Sequence, residues 1–148
     1  MKIKTFQGGF DKNLCHLIWC EATQIAVLVD ASVESLEIIE YIDSKGLLLE
    51  KVLITHTHFD HIKYLEEIKY QLPQIQICGF KDPEEILGEN YRELNHREIL
   101  PFGTELLTAL HTPGHYPDSM CFWNKKEECI FTGDTMFVGR TGRTVGPK

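Results

Sequence analysis

The segment Thr55–His61, with the sequence Thr-His-Thr-His-Phe-Asp-His, limits what this 148-residue chain can fold into more than any other feature. Three imidazoles and one carboxylate fall within six positions of it: His56, His58, Asp60 and His61. Such side chains are costly to bury and are usually exposed unless they are paired or bind a metal. A polar loop before a helix, with Asp60 as its N-cap, is the alternative, but four ligand-type residues in six positions favour a metal site.

This segment lies where a strand is predicted to give way to a helix. Residues 51–55 are a short apolar, β-branched run, and residues 62–72 carry apolar side chains at a helical period. In extended chain His56 and His58 point to the same side and can bind one ion together. Asp60 and His61 follow as the chain turns and can face a second point nearby. Neutral imidazole and carboxylate suit zinc, iron or manganese.

Composition limits the partners of the chain. The net charge of −7 gives no electrostatic support for nucleic-acid binding. No basic cluster, signal peptide or apolar run of membrane-spanning length is visible, so we expect a cytoplasmic chain without a membrane partner. The length of 148 residues predicts one domain over residues 1–148, and the hydrophobic fraction of 43% is normal for a globular protein. The five scattered cysteines are expected to be reduced and buried.

The rest of the chain reads as strands with a few helices between them. Asp30 closes an apolar strand and either caps the helix that follows or orients metal ligands from behind, with the structural role favoured. His16 and His96 are isolated and are expected outside any site. Strands are predicted over 2–6, 13–20, 24–30, 52–55, 74–80, 99–103, 104–110, 119–123 and 128–132, helices over 33–44, 62–72 and 81–88, and loops over 89–97 and 136–148.

Two further clusters follow predicted strands. His111-Thr-Pro-Gly-His115 comes after the strand over 104–110, and its Pro-Gly pair forces a tight turn, so His111 lies at a strand end as His56 does. Gly133-Asp134-Thr135 comes after the strand over 128–132, and its glycine lets the backbone approach the site closely. Three separate strand ends therefore carry candidate ligands.

Together these motifs resemble those of the metallo-β-lactamase fold superfamily. Thr55–His61 matches its His-x-His-x-Asp-His signature, and the other two clusters match its next motifs in the right order. Residues 136–144 resemble the segment that follows in glyoxalase II-like members and in persulfide dioxygenases. The resemblance covers the whole chain and implies an α/β fold, the four-layer αββα sandwich, with the metals at one edge between the sheets.

Carried over by position, the resemblance implies a ligand set. The first site would use His56, His58 and His111, the second Asp60 and His61, with Asp134 bridging the two. His115 matches no ligand position and is expected outside the ligands or near the substrate. The implied cofactor is one or two divalent ions, with zinc expected and iron or manganese as alternatives.

Two departures from the family pattern stand out. The family supplies a last His to the second site from a later strand, and this chain has neither that His nor the elements that complete the second half. A C-terminally incomplete sandwich leaves an exposed apolar edge, which allows a homo-oligomer. Val145 also stands where many relatives carry an acidic residue.

The resemblance implies hydrolysis of a thioester such as a hydroxyacyl-glutathione by a metal-bound hydroxide, with Asp60 and Asp134 as the catalytic carboxylates. Tyr116, Arg140 and Arg143 are candidates to meet an anionic substrate, although a solvated loop explains the two arginines equally well. One alternative is a persulfide dioxygenase with a single iron held by His56, His111 and Asp134. Another is a metal-binding but inactive fragment.

Overall fold

The computed structural model describes residues 1–9, 11–81 and 87–144. Its helices are α1 (Ser35–Lys45), α2 (Phe59–Ile62) and α3 (Leu65–Gln71), with one 3-10 helix at Gly133–Thr135. Its strands are β1 (Lys2–Gly8), β2 (Asn13–Trp19), β3 (Ile25–Val29), β4 (Leu48–Leu53), β5 (Gln76–Gly79), β6 (Tyr91–Glu93), β7 (Ile99–Phe102), β8 (Glu105–His111), β9 (Met120–Asn124), β10 (Cys129–Phe131), β11 (Met136–Phe137) and β12 (Arg140–Thr141).

The N-terminal sheet has six strands in the order β1-β2-β3-β4-β5-β6. Its first three strands pair antiparallel, and β3 to β6 pair parallel. Strands β3 and β5 are mostly buried, as is typical of parallel strands in a sheet that is covered on both faces. β3 and β4 lie side by side and end together, which brings the residues that follow them, Asp30 and Thr55, within contact distance.

The second sheet has four antiparallel strands in the order β10-β9-β8-β7. A core that includes Val27, Leu53 and Phe122 lies between the two sheets. On the other face of the first sheet, α1 and α3 bury Ile38 and Ile68. The described residues thus form helix, sheet and sheet layers.

Among the described residues, the outer face of the second sheet is exposed. Four large apolar side chains on this sheet are at least a third exposed: Ile99, Leu106, Trp123 and Ile130. The predicted α/β fold is confirmed, and the described residues supply three of the four expected layers. All five cysteines are unpaired and four of them are buried, as expected.

Several predicted elements differ in detail from the structure. The single helix predicted over 62–72 is two short helices in the structure. The first, α2, begins at Phe59, directly after the extended His58, and ends at Ile62, and α3 begins at Leu65. The predicted loop over 89–97 contains β6, which pairs with the edge of β5 through its backbone despite polar side chains. The predicted loop over 136–148 contains the β11–β12 hairpin. Most of the helix expected over 81–88, and residues 145–148 with Val145, lie outside the described residues. None of the described helices is both long and apolar enough to cross a membrane.

Candidate metal centre

Imidazole and carboxylate groups meet where three strands end. The loop between β4 and α2 carries His56, His58 and His61, the loop after β8 carries His115, and the 3-10 helix after β10 carries Asp134. The backbone ties the two sheets together at this point, because the Met120 N–H donates to the Thr55 carbonyl at 2.7 Å. The predicted meeting of separate strand ends is therefore present in the fold.

One group of three nitrogens forms around His58. Its Nδ1 lies 3.0 Å from Nε2 of His56 and 3.0 Å from Nε2 of His115. The three ligand atoms all lie within 4.8 Å of one another, which is the spacing that a single ion can bridge.

His111, a predicted ligand of the first site, does not lie in this group. Its ring stacks on Phe80 with centroids 3.6 Å apart, and its Nε2 donates to the Pro117 carbonyl at 2.9 Å. The reason is that β8 runs through His111 and pairs it with Met120, while the Pro-Gly turn carries the chain on to His115. The same path of the chain brings His115, which was expected outside the ligands or near the substrate, into the cluster.

A second group surrounds the side chain of His61. Its Nε2 lies 3.3 Å from Oδ1 of Asp134 and 3.8 Å from Oδ2 of Asp60. The other oxygen of Asp134, Oδ2, lies 3.5 Å from Nε2 of His115. The two carboxylate oxygens of Asp134 thus face the two groups, the arrangement that a bridging ligand needs.

Asp30 orients two of the histidines from behind. Its Oδ2 accepts from Nδ1 of His61 at 2.7 Å and from the Thr55 hydroxyl at 2.7 Å, and its Oδ1 accepts from the Thr55 N–H. Because the Thr55 hydroxyl donates to Asp30, it is free to accept from Nδ1 of His56, 3.2 Å away. Both rings therefore carry a proton on Nδ1, facing the acceptor behind them, and turn Nε2 into the cluster. Of the two roles open to Asp30, orienting ligands is the one its contacts show, since Glu34 is the N-cap of α1.

His115 is oriented in the same way by the backbone. Its Nδ1 donates to the Arg143 carbonyl at 2.9 Å, which again leaves the lone pair of Nε2 for the cluster. Asp60 is held differently, because its Oδ2 accepts from the side-chain amide of Asn13 at 2.7 Å. Asn13 lies on β2, 47 residues away in sequence, and no local pattern signals this contact.

These groups fit a divalent metal ion. Nε2 of His61 is buried, and within the described part of the chain it has no hydrogen-bond partner. Nδ1 of His58 lies 3.0 Å from Nε2 of both His56 and His115, and a single proton on it can be donated to only one of these two nitrogens. A divalent metal ion would satisfy both the orphaned nitrogen of His61 and the acceptor nitrogen that is left without a proton.

The electrostatics of the two groups differ. Burial, together with the neighbouring His61, lowers the pKa of His56 to about 4, so this ring is neutral and ready to ligate. Burial alone would also lower the pKa of His61, but the carboxylates of Asp30 and Asp134 raise it to about 10. The neighbouring His61 in turn lowers the pKa of Asp134. His61 therefore holds a proton that a metal must displace.

Two glycines let the backbone close around Asp134. Gly133 has φ +47°, and a Cβ there would lie 2.4 Å from Oγ1 of Thr55. A Cβ on Gly142 would lie 1.8 Å from the Asp134 carbonyl oxygen, and the Gly142 N–H donates to the neighbouring Thr135 carbonyl. Side chains at these two positions would displace the loop that carries Asp134.

The predicted substrate-binding residues lie in different settings. Tyr116 is half-buried, and its ring lies 4.2 Å from that of His58, at the rim of the cluster. Arg140 is exposed and lies over the ring of Phe137. The side chain of Arg143 is exposed as well, and its described contact with the site is made by the backbone carbonyl.

Known proteins are similar to this chain in sequence and in fold. The probable hydroxyacylglutathione hydrolase glo2 of Schizosaccharomyces pombe is 34% identical over 140 residues, which cover 91% of this chain and 53% of the relative. The structure of ETHE1 from Myxococcus xanthus aligns with a TM-score of 0.83 at 27% identity, over 97% of this chain and 61% of that one. A protein solved in a di-iron-bound form has the same fold, with a TM-score of 0.79 at 22% identity over 95% of this chain and 76% of that one.

The chain spans about half the length of the curated relatives it matches first. The sequence profile described as the metallo-beta-lactamase superfamily matches residues 8–147, nearly the whole chain. With the layered fold and the His and Asp cluster at the strand ends, this match shows that the chain belongs to the metallo-β-lactamase superfamily.

Proposed function

We propose that the cluster is the centre of a metal-dependent hydrolase that cleaves a thioester. The observation that carries this proposal is the convergence of four imidazoles and Asp134, with three of the rings oriented by an acceptor behind them. When bound, divalent ions lower the pKa of water and polarise a carbonyl. The names of relatives such as the Schizosaccharomyces pombe protein support a hydroxyacyl-glutathione as the substrate.

The residues divide into two ligand groups in this proposal. His56, His58 and His115 hold one ion, and His61 with Asp60 holds the other. Asp134 spans both groups, since its two oxygens face His115 and His61. Zinc suits this nitrogen-rich set, with iron and manganese as alternatives.

Asp60 and Asp134 are the proposed catalytic carboxylates. The side chain of Asp60 is 35% exposed, so water and substrate can reach it, and the bond from Asn13 fixes its orientation. Although burial opposes the change, this bond lowers the pKa of Asp60 and keeps the side chain ionised. As an acceptor-only group, Asp60 can orient an attacking water.

Tyr116 is the proposed contact for the substrate. Its ring beside His58 places a hydroxyl-bearing aromatic group at the rim, where an acyl or thiol part of the substrate would lie. Arg140 and Arg143 would meet an anionic substrate, such as a glutathione moiety, from the exposed hairpin segment.

The test is to purify the chain without added metal, measure its metal content and assay thioester cleavage. Asp134→Ala should abolish cleavage and lower the metal content, because Asp134 faces both groups. Arg140→Ala, an exposed change in the same segment, is the control and should leave the metal content unchanged. Full metal occupancy in Asp134→Ala would refute the bridging role, and metal binding without turnover of any thioester would favour an inactive metal-binding unit.

A second candidate is a persulfide dioxygenase with one iron, with which the likeness to ETHE1 is compatible. For this candidate we propose His56, His115 and Asp134 as the ligands instead of His56, His111 and Asp134, a choice supported by the contacts of His115 with His56 and Asp134. Two histidines and one carboxylate leave positions open for substrate and O₂. Bound iron with persulfide-dependent oxygen uptake would decide for this candidate, whereas thioester cleavage without oxygen uptake would exclude it.

A further inference from the structure

Asp118 lies between the two loops that carry the first ligand group. It follows His115 by three residues, and its Oδ2 accepts the backbone N–H of Thr57 at 3.0 Å. Thr57 is the residue between His56 and His58. The side chain of Asp118 thus joins the loop of His115 to the loop of the other two histidines.

The segment around Asp118 is itself firmly held. The Ser119 N–H donates to the Tyr116 carbonyl, and the Ser119 hydroxyl accepts from the Tyr116 N–H. His111 donates to the Pro117 carbonyl, so the histidine that does not ligate supports this loop. A rigid loop allows Asp118 to fix the position of Thr57 rather than to follow it.

Asp118 is also costly to keep where it is. The residue is only 8% exposed, and its Oδ1 is buried with no hydrogen-bond partner in the described part of the chain. Burial raises the pKa of this carboxyl, although the bond from Thr57 opposes the change. A buried carboxylate with an unsatisfied oxygen destabilises a fold, so stability alone does not account for it.

We propose that Asp118 is a positioning residue that sets the spacing between His58 and His115 by accepting the Thr57 N–H. The inference rests on the proposed metal centre. Without this acceptor, the Thr57 backbone would turn away from the loop of His115, and the three nitrogens would no longer share one point. Partners that orient metal ligands in this way typically contribute about 10–100-fold to metal affinity.

The test is zinc affinity and the visible spectrum of the Co²⁺-loaded chain. Asp118→Ala should weaken zinc binding by about 10–100-fold and change the Co²⁺ spectrum, because the ligand geometry is altered. Asp118→Asn should restore both, since the amide oxygen accepts the same N–H. If Asp118→Ala does not fold, Asp118→Leu, which keeps most of the volume without an acceptor, takes its place.

The matched control is Asn124→Ala. Asn124 is 1% exposed, and its side-chain oxygen also accepts a loop N–H, that of Glu127, but it lies at the end of β9 outside the cluster. This variant should lose stability and keep the zinc affinity and the Co²⁺ spectrum. If Asp118→Ala and the unchanged chain bind zinc equally well, the inference is overturned and the proposed function stands. The same holds if Asp118→Asn binds zinc as weakly as Asp118→Ala does. A lack of zinc binding by the unchanged chain would overturn both.

Discussion

At the scale of single residues, the sequence predicted His111 as the ligand in the segment 111–115, whereas the structure brings His115 to the cluster. Both histidines flank the same Pro-Gly turn, and the choice depends on where β8 ends. The strand runs through His111 and commits its ring to Phe80. Strand ends are set by pairing with a neighbouring strand, which a local pattern does not contain.

The two histidines can be separated by mutation. His115→Ala should lower the metal content of the purified chain, because it removes one of three converging nitrogens. His111→Ala should keep the metal and lose only stability, since its ring packs on Phe80 outside the cluster. Elemental analysis of both variants with urea denaturation checks this, and a metal-free His111→Ala variant would contradict the assignment.

The proton on His61 gives a second prediction at this scale. With a pKa of about 10, His61 is protonated at neutral pH in the metal-free chain, and ligation needs the lone pair of its Nε2. Metal binding should therefore release about one proton from this group, and affinity should rise with pH up to about 10. His56 is already neutral and should release none.

The same shift affects the stability of the metal-free chain. Because the folded pKa of His61 lies above the unfolded value of about 6.5, its contribution to the free energy of unfolding is fully present below that pH and is lost as the pH rises through about 10.

Titration calorimetry in buffers of different ionisation enthalpy measures the proton release on metal binding, and His61→Gln is the control that lacks it. If the heat of metal binding to the unchanged chain does not depend on the buffer, the predicted proton release is contradicted.

At the scale of elements, the sequence predicted most strands because their apolar runs are bounded by turn residues. It missed β6, since Tyr91-Arg-Glu93 has no apolar alternation from which a strand could be predicted. It also predicted one helix where α2 and α3 are separate, because the apolar period continues across the break. Asn13 and Asp118 could not be assigned roles, since each acts on a residue distant in sequence.

Gly133, which begins the 3-10 helix, provides a test of how the elements fit together. Gly133→Ala combines a backbone at φ +47° with a Cβ only 2.4 Å from Oγ1 of Thr55. We expect the free energy of unfolding to fall by more than the ~1–3 kcal/mol that backbone strain alone costs. Zinc binding should weaken as well, because Thr55 supports His56. Urea denaturation and zinc titration measure the two effects.

The matched control for this change is Gly139→Ala. Gly139 has φ +79°, and a Cβ there would meet nothing within 4 Å. This variant therefore carries the backbone strain without the contact with Thr55. If both variants lose equal stability and keep equal zinc affinity, the close packing of Gly133 on Thr55 is unimportant.

At the scale of the whole molecule, the sandwich leaves an apolar sheet face open to solvent. The cross-strand pairing places Ile130 beside Trp123, and Trp123 beside Thr108, next to which lies Ile99. Leu106 lies on β8, two residues before Thr108, and is 56% exposed. Faces of this kind favour association in water.

We therefore expect the chain to self-associate with rising concentration, and Leu106→Lys to weaken this association. The lysine places a charge in the middle of the apolar face. Leu36→Lys is the control, because Leu36 is 62% exposed but lies on α1, away from this sheet. Sedimentation velocity over a range of concentrations measures the effect, and equal association of the two variants would show that another surface is responsible.

The crowding at Gly142 has a consequence for reading mutational data on this protein. Any Cβ at this position overlaps the carbonyl oxygen of Asp134, so all nineteen substitutions push the same loop aside whatever their chemistry. In a saturation library selected for activity, position 142 would tolerate substitution as poorly as a metal-ligating position does, although its residue would contact neither the ion nor the substrate. Its sensitivity should be interpreted as a need for empty space.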